Sequence, residues 1–83
     1  MHISIVLPAK NEMASVGNTV ERALEQFPDA QIIVVNDGST DETATVANAA
    51  GAQVITHPYS KGNGAAIKTG ARAATGEIIV FMD

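Results

Sequence analysis

The segment Ile32-Ile33-Val34-Val35-Asn36-Asp37-Gly38-Ser39-Thr40-Asp41-Glu42 constrains the fold of this chain more than any other. Its four apolar, β-branched residues show no polar alternation and read as a strand buried on both faces. Asn36-Asp37-Gly38 favours a tight turn, and Ser39 with Glu42 three positions on has the form of a capping box that opens a helix. An acid, Asp37, is therefore set at the C-terminal end of a strand, the edge at which open α/β sheets bind their ligands. The sequence offers Asp37 no obvious structural partner, which leaves it available to a ligand.

The same alternation runs through the chain. Ile3–Leu7 reads as a first strand ended by Pro8. Met13, Val16, Val20, Leu24 and Phe27 recur at helical spacing, which predicts an amphipathic helix over about 14–26 that Pro28 stops. Ile32–Val35 is the second strand, Thr40–Ala50 the second helix with Gly51 just past its end, and Gln53–Thr56 a short third strand. A loop over 57–64 leads to a third helix at about 65–74 and a fourth strand, Glu77–Met82. This order predicts an α/β fold of right-handed βαβ units, a Rossmann-like parallel sheet in the order 3-2-1-4 flanked by helices. Its topological switch point lies between strands one and four, so the loop Pro8–Glu12 should face Asp83 across a crevice, with Asp37 beside them.

Ile78, Val80 and Phe81 would form a sheet edge with no following helix over it. Such an edge invites pairing with another chain. The 83 residues are therefore expected to be part of a longer chain, or to be completed by a partner such as a second copy.

Composition narrows the class further. A hydrophobic content of 46% with 17% charged residues is globular, and 83 residues support one domain at most. The net charge of −4 and the lack of a Lys/Arg cluster argue against nucleic acid as a partner. Without cysteine there is neither a disulfide nor a thiolate metal site. No basic region leads an apolar stretch at Met1-His2-Ile3-Ser4, and no apolar run approaches the roughly 18 residues that span a bilayer. A soluble chain in the cytoplasm is expected.

Four motifs then stand in order: Val6-Leu7-Pro8-Ala9-Lys10-Asn11-Glu12, Val34-Val35-Asn36-Asp37-Gly38-Ser39-Thr40-Asp41, Lys61-Gly62-Asn63-Gly64-Ala65-Ala66 and Gly76-Glu77-Ile78-Ile79-Val80-Phe81-Met82-Asp83. Together they resemble the N-terminal, nucleotide-binding part of the GT-A fold in family 2 glycosyltransferases, including the polyprenyl-phosphate mannosyl- and glucosyltransferases. The resemblance implies an inverting, metal-dependent transfer from a nucleotide-diphosphate sugar, a UDP- or GDP-sugar. It makes residues 1–83 the donor-binding part of the domain, ending at the first Asp of an Asp-x-Asp motif. Pro8, Asn11 and Glu12 match the loop that lines the base and ribose pocket, Asp37 the acid that hydrogen-bonds the base, and Asp83 a ligand to ribose and to Mg²⁺ or Mn²⁺. Lys10 stands where many members carry an aromatic residue, which removes stacking on the base from that position, and Asn36 replaces a frequent Asp. The general base and the acceptor site lie beyond these residues in the family, so this chain alone should bind donor weakly and transfer nothing. The acceptor is open, and many relatives use lipid-linked acceptors at the cytoplasmic face of a membrane.

Local chemistry qualifies several of these assignments. Lys61 and Gly62 precede a helix whose free N–H groups could attract phosphate. The sequence is neither a Walker loop nor a dinucleotide fingerprint, however. Because the resemblance puts the diphosphate on the metal, Lys61 and Gly62 are assigned to the pocket wall near the nucleoside. Glu12 is either a nucleotide contact or an acid serving the following helix. Asp41 is expected to stabilise the start of the second helix, and Gly70 with Ala66, Ala73 and Ala74 to form a small-residue face against the sheet. His57, with no second His or Cys nearby, is expected in solvent rather than on a metal. A non-catalytic nucleotide-binding or assembly module of the same fold is the rival reading. A nucleotidyltransferase is disfavoured, because Pro8-Ala9-Lys10-Asn11-Glu12 replaces the Arg-containing glycine-rich loop of those enzymes.

Overall fold

The computed structural model describes residues 2–82. Its strands are β1 (Ile3–Ala9), β2 (Gln31–Asp37), β3 (Gln53–His57) and β4 (Ile78–Phe81), and its helices are α1 (Val16–Gln26), α2 (Thr43–Ala49) and α3 (Asn63–Ala73). The strands form one parallel sheet in the order β3-β2-β1-β4, as the alternation predicts. Residues alternate across a strand, so the uninterrupted apolar runs supply two cores. Ile5, Leu7, Ile32 and Val34 pack with Val16, Val20 and Ala47 of α1 and α2, while Val6, Ile33 and Val35 pack with Ala66 of α3.

On the second face α3 lies unusually close to β1. A Cβ added at Gly70 would stand 2.2 Å from Val6 Cγ1, which explains the small-residue stripe read from the sequence. The uncovered edge is also present. Ile78 is 42% and Phe81 48% exposed, and α3 packs chiefly over β1 and β2.

Three local expectations differ from the structure. β1 continues through Pro8 to Ala9, pairing Pro8 with Val35. The Val6 carbonyl accepts from Met82 N–H (3.0 Å), so Val6 and Pro8, two residues apart, turn their backbone polar groups toward β4 rather than β2. The missing proline N–H therefore costs the β1–β2 ladder nothing. The capping box does not form either. α2 starts at Thr43 after Glu42, which makes no side-chain cap, and Ser39 Oγ instead accepts from Asn11 N–H at 2.9 Å. Asp41 takes over at the helix start: its Oδ1 accepts from Thr43 N–H (2.9 Å) and from the Thr43 hydroxyl. Finally, His57 is not a solvated loop residue. It is the last residue of β3, buried and paired in register with Asp37.

Candidate functional site

The C-terminal ends of β1 and β2, the loops after β1 and β3 and the first turn of α3 border a cleft of about 480 Å³. Pro8 and Lys10 form one wall, Ser60, Gly62 and Ala66 the other, and Glu12 and Asp37 border it. A smaller hollow of about 160 Å³ adjoins it on the α1 side, sharing Pro8, Ala9 and Glu12.

Asp37 organises the second wall. Its Oδ1 accepts from His57 Nδ1–H (2.8 Å) and Lys61 N–H (2.8 Å), and its Oδ2 from Gly62 N–H (2.9 Å) and the Ser60 hydroxyl (3.1 Å). The imidazole of His57, and after it the Lys61 amide, hold the Asp37 carboxyl far below the usual carboxylate range. Burial opposes them, and the Gly62 amide and Ser60 hydroxyl add to the lowering. Gly38 permits the arrangement. Its φ is +70°, and a Cβ there would meet Ser60 N at 2.5 Å, so the turn after β2 and the 59–60 backbone touch.

A second set of bonds fixes the first wall. Asn11 adopts φ 52°, and its Oδ1 accepts from Thr40 N–H (2.8 Å) and the Thr40 hydroxyl (3.2 Å). Glu12 N–H donates to Thr43 Oγ1 (2.9 Å), and Met13 N–H to Asp41 Oδ2 (3.3 Å). The Thr43 hydroxyl leads the groups that lower the Asp41 carboxyl below its ordinary value. The loop after β1 is thereby sewn to the loop after β2. Lys10 Nζ reaches across to donate to Ser60 Oγ at 3.1 Å, joining the two walls.

Of the residues singled out in the sequence, Pro8, Glu12, Asp37 and Gly62 meet at the cleft. Asn11 and Lys61 flank it: Asn11 fixes the turn, and the Lys61 ammonium lies 5.3 Å from the centre of the Tyr59 ring. Asp83 lies outside the described residues. The sequence reading missed His57 and Ser60 as partners of Asp37. The phosphate reading of the Lys61-Gly62 loop also loses ground here, because both amides already hold the carboxylate of Asp37.

Comparison with known proteins decides the family. The description "Glycosyl transferase family 2" matches residues 4–83. The chain belongs to glycosyltransferase family 2. Glucosyl-3-phosphoglycerate synthase of Mycolicibacterium smegmatis is 41% identical over 91 aligned positions, which take in 98% of this chain and 30% of that protein. A 4,4'-diaponeurosporenoate glycosyltransferase of Staphylococcus aureus is 43% identical over 53 positions, 64% of this chain and 14% of that one. Among solved structures, glucosyl-3-phosphoglycerate synthase of Mycobacterium tuberculosis, in complex with Mn²⁺, UDP-glucose and phosphoglyceric acid, superposes with a TM-score of 0.85 at 35% identity. That match covers 99% of this chain and 32% of the other. A mannosyltransferase of Pyrobaculum calidifontis shares the fold, with a TM-score of 0.84 at 23% identity over 93% of this chain and 25% of the other. The chain thus spans about a third of the length of these glucosyl-3-phosphoglycerate synthases. Among the described residues, no helix is long and apolar enough to cross a membrane.

Proposed function

We propose that residues 1–83 form the donor-binding part of an inverting glycosyltransferase, and that the cleft between Pro8–Glu12 and Ser60–Gly62 takes the nucleoside of a UDP- or GDP-sugar. The observation that carries this reading is the convergence of Pro8, Glu12, Asp37 and Gly62, from three separate motifs, on one cleft at the C-terminal edge of the sheet. The M. tuberculosis relative crystallised with Mn²⁺ and UDP-glucose supports the donor class. On this reading Pro8 and Ala66 supply apolar contact to the base, and Glu12 and the Gly62 backbone border the ribose. We infer that the reaction takes place in the cytoplasm or at the cytoplasmic face of a membrane.

A divalent cation, Mn²⁺ or Mg²⁺, belongs to this proposal, yet the described residues do not form its site. No three His, Cys, Asp or Glu side chains among them come together, and the Asp37 carboxylate is already engaged. A hard cation needs an oxygen-rich shell, so its ligands are assigned to Asp83 and to groups other than the described ones. When bound, such an ion would offset charge on the departing diphosphate. The contribution of this chain is to bind and orient the nucleoside. Relatives differ in what their names give as acceptor, phosphoglycerate in one and diaponeurosporenoate in another.

The test is calorimetric titration of UDP, GDP and their sugars, with Mn²⁺, onto the full-length protein. Submillimolar binding of one nucleotide series is expected, with competition between the free nucleotide and its sugar. Failure of every series to bind at millimolar concentration overturns the reading.

A further inference from the structure

Lys10, Ser60 and Asp37 come from the loops after β1 and β3 and from the end of β2, and all three line the cleft. They meet in a short chain of bonds. Lys10 Nζ donates to Ser60 Oγ (3.1 Å), and the Ser60 hydroxyl donates to Asp37 Oδ2 (3.1 Å). An ammonium can only donate and a carboxylate can only accept, whereas a hydroxyl does both and its proton rotates. Ser60 is therefore the exchangeable link. The other donors to Asp37 have fixed directions: two are the backbone amides of Lys61 and Gly62, and the third is His57 Nδ1–H. The His57 ring is itself held at Nε2 by the Thr69 hydroxyl (2.8 Å). Lys10 and Ser60 are both exposed, so the Ser60 hydroxyl can turn to water at little cost.

With that hydroxyl turned away, a donor, the Lys10 ammonium, stands beside an acceptor, Asp37 Oδ2. A ligand edge that restores both bonds must carry the reverse order, an acceptor beside a donor. Uracil carries it in its 4-carbonyl and N3–H, and guanine in its 6-carbonyl and N1–H. Cytosine and adenine have the opposite order. Their amino group would face the ammonium, and their ring-nitrogen lone pair would face the carboxylate. Both charged groups would then lose their partners, and a site built to bond one edge rejects the other strongly.

We propose that Lys10 is a specificity-determining residue of the donor cleft: its ammonium donates to the carbonyl of a base whose ring N–H bonds Asp37, the edge that uracil and guanine share. The base edge takes over the two bonds that Ser60 makes. This rests on the reading of the cleft as the nucleoside site. It adds to the acid expected there a partner of opposite hydrogen-bonding sense.

The test is titration of the full-length protein, with Mn²⁺, by UDP, CDP, GDP and ADP, the weak binders being measured by competition. The same titrations are made on Lys10→Met. Methionine keeps an unbranched apolar stem and removes the donor and the charge, and the exposed position leaves folding intact. In the unmodified protein UDP should bind roughly a hundredfold more tightly than CDP, or GDP more tightly than ADP by the same factor. The two comparisons distinguish uracil from guanine. In Lys10→Met the preferred nucleotide should weaken by roughly tenfold, and its amino counterpart by less than about threefold. Equal weakening of both would mean that the ammonium serves the diphosphate, and it overturns the proposal while leaving the donor reading intact. So does an unchanged affinity for the preferred nucleotide, or an unmodified protein that binds CDP or ADP as well as its carbonyl counterpart. A protein that binds none of the four overturns the donor reading and this proposal together.

Discussion

The two ends of β2 are built alike and serve different ends. At its first residue, Gln31 Oε1 accepts from the Ser4 hydroxyl (2.6 Å), Thr75 N–H (2.9 Å) and the Thr75 hydroxyl (3.1 Å). Gln31 Nε2 donates to Gln53 Oε1 (3.0 Å) and the Ala73 carbonyl (3.2 Å). At its last residue, Asp37 gathers the Ser60–Gly62 loop and His57. Each side chain is a hub that ties the neighbouring strand to the loop next to α3. The Gln31 hub is neutral and ties β1 and β3 to the end of α3. The Asp37 hub is charged and stands beside the large cleft. A buried charge is costly unless it is fully paired, so the charged hub is where stability and binding are coupled.

That contrast can be broken by mutation. Asp37→Ala is expected to have the largest effect, a loss of about 3 kcal/mol in urea unfolding, because His57 Nδ1–H and two amides lose their acceptor at once. Nucleotide affinity should fall with it. Gln31→Ala should cost less, about 1–2 kcal/mol, since its partners are neutral and partly reached by water. Nucleotide affinity should be unchanged in that variant, and a loss there would erase the distinction between the two ends.

Acid separates them further. The Asp37 carboxyl is depressed in the folded protein, so below about pH 4 the unfolded chain binds the proton more readily than the folded one. The stability that Asp37 contributes is complete above that range and is lost as the pH falls toward its folded value. Asp41, also depressed, adds to the same limb. The acid limb of stability against pH should therefore flatten in Asp37→Asn. In Gln31→Ala it should run parallel to the unmodified curve, because no direct partner of Gln31 ionises. The smallest effect is expected at Glu42, which belongs to neither hub. Glu42→Ala should change stability by less than about 0.5 kcal/mol, since no side-chain bond is lost.

How much of this the sequence shows depends on the distance over which each contact acts. Uninterrupted β-branched runs alternating with helical spacing suffice for the parallel sheet and its order, because both are set by local period and connection length. Gly70 and its alanine neighbours likewise announce close packing. Ser39 and Glu42 mislead because a capping box is a local motif, and a partner 28 residues away, Asn11 N–H, wins the serine hydroxyl. His57 is hidden for the same reason. Its environment is decided by the β2–β3 register and by Thr69, and neither leaves a mark near residue 57. The cleft lining was half visible: Pro8, Glu12, Asp37 and Gly62 belong to recognisable motifs, whereas Ser60 joins through its hydrogen bonds with Asp37 and Lys10.

Gly70 also acts as a spacer gauge for the cleft. It lies one helical turn beyond Ala66, whose side of α3 faces the space across from Pro8. The separation of α3 from β1 is set where Gly70 meets Val6, and a rigid helix transmits that separation to its first turn. A single added methyl would press on Val6, so that Val6 or the helix must shift, and a shift of the helix would alter the cleft with no residue of the lining changed. The aperture offered to a ligand is thus calibrated by an absent side chain.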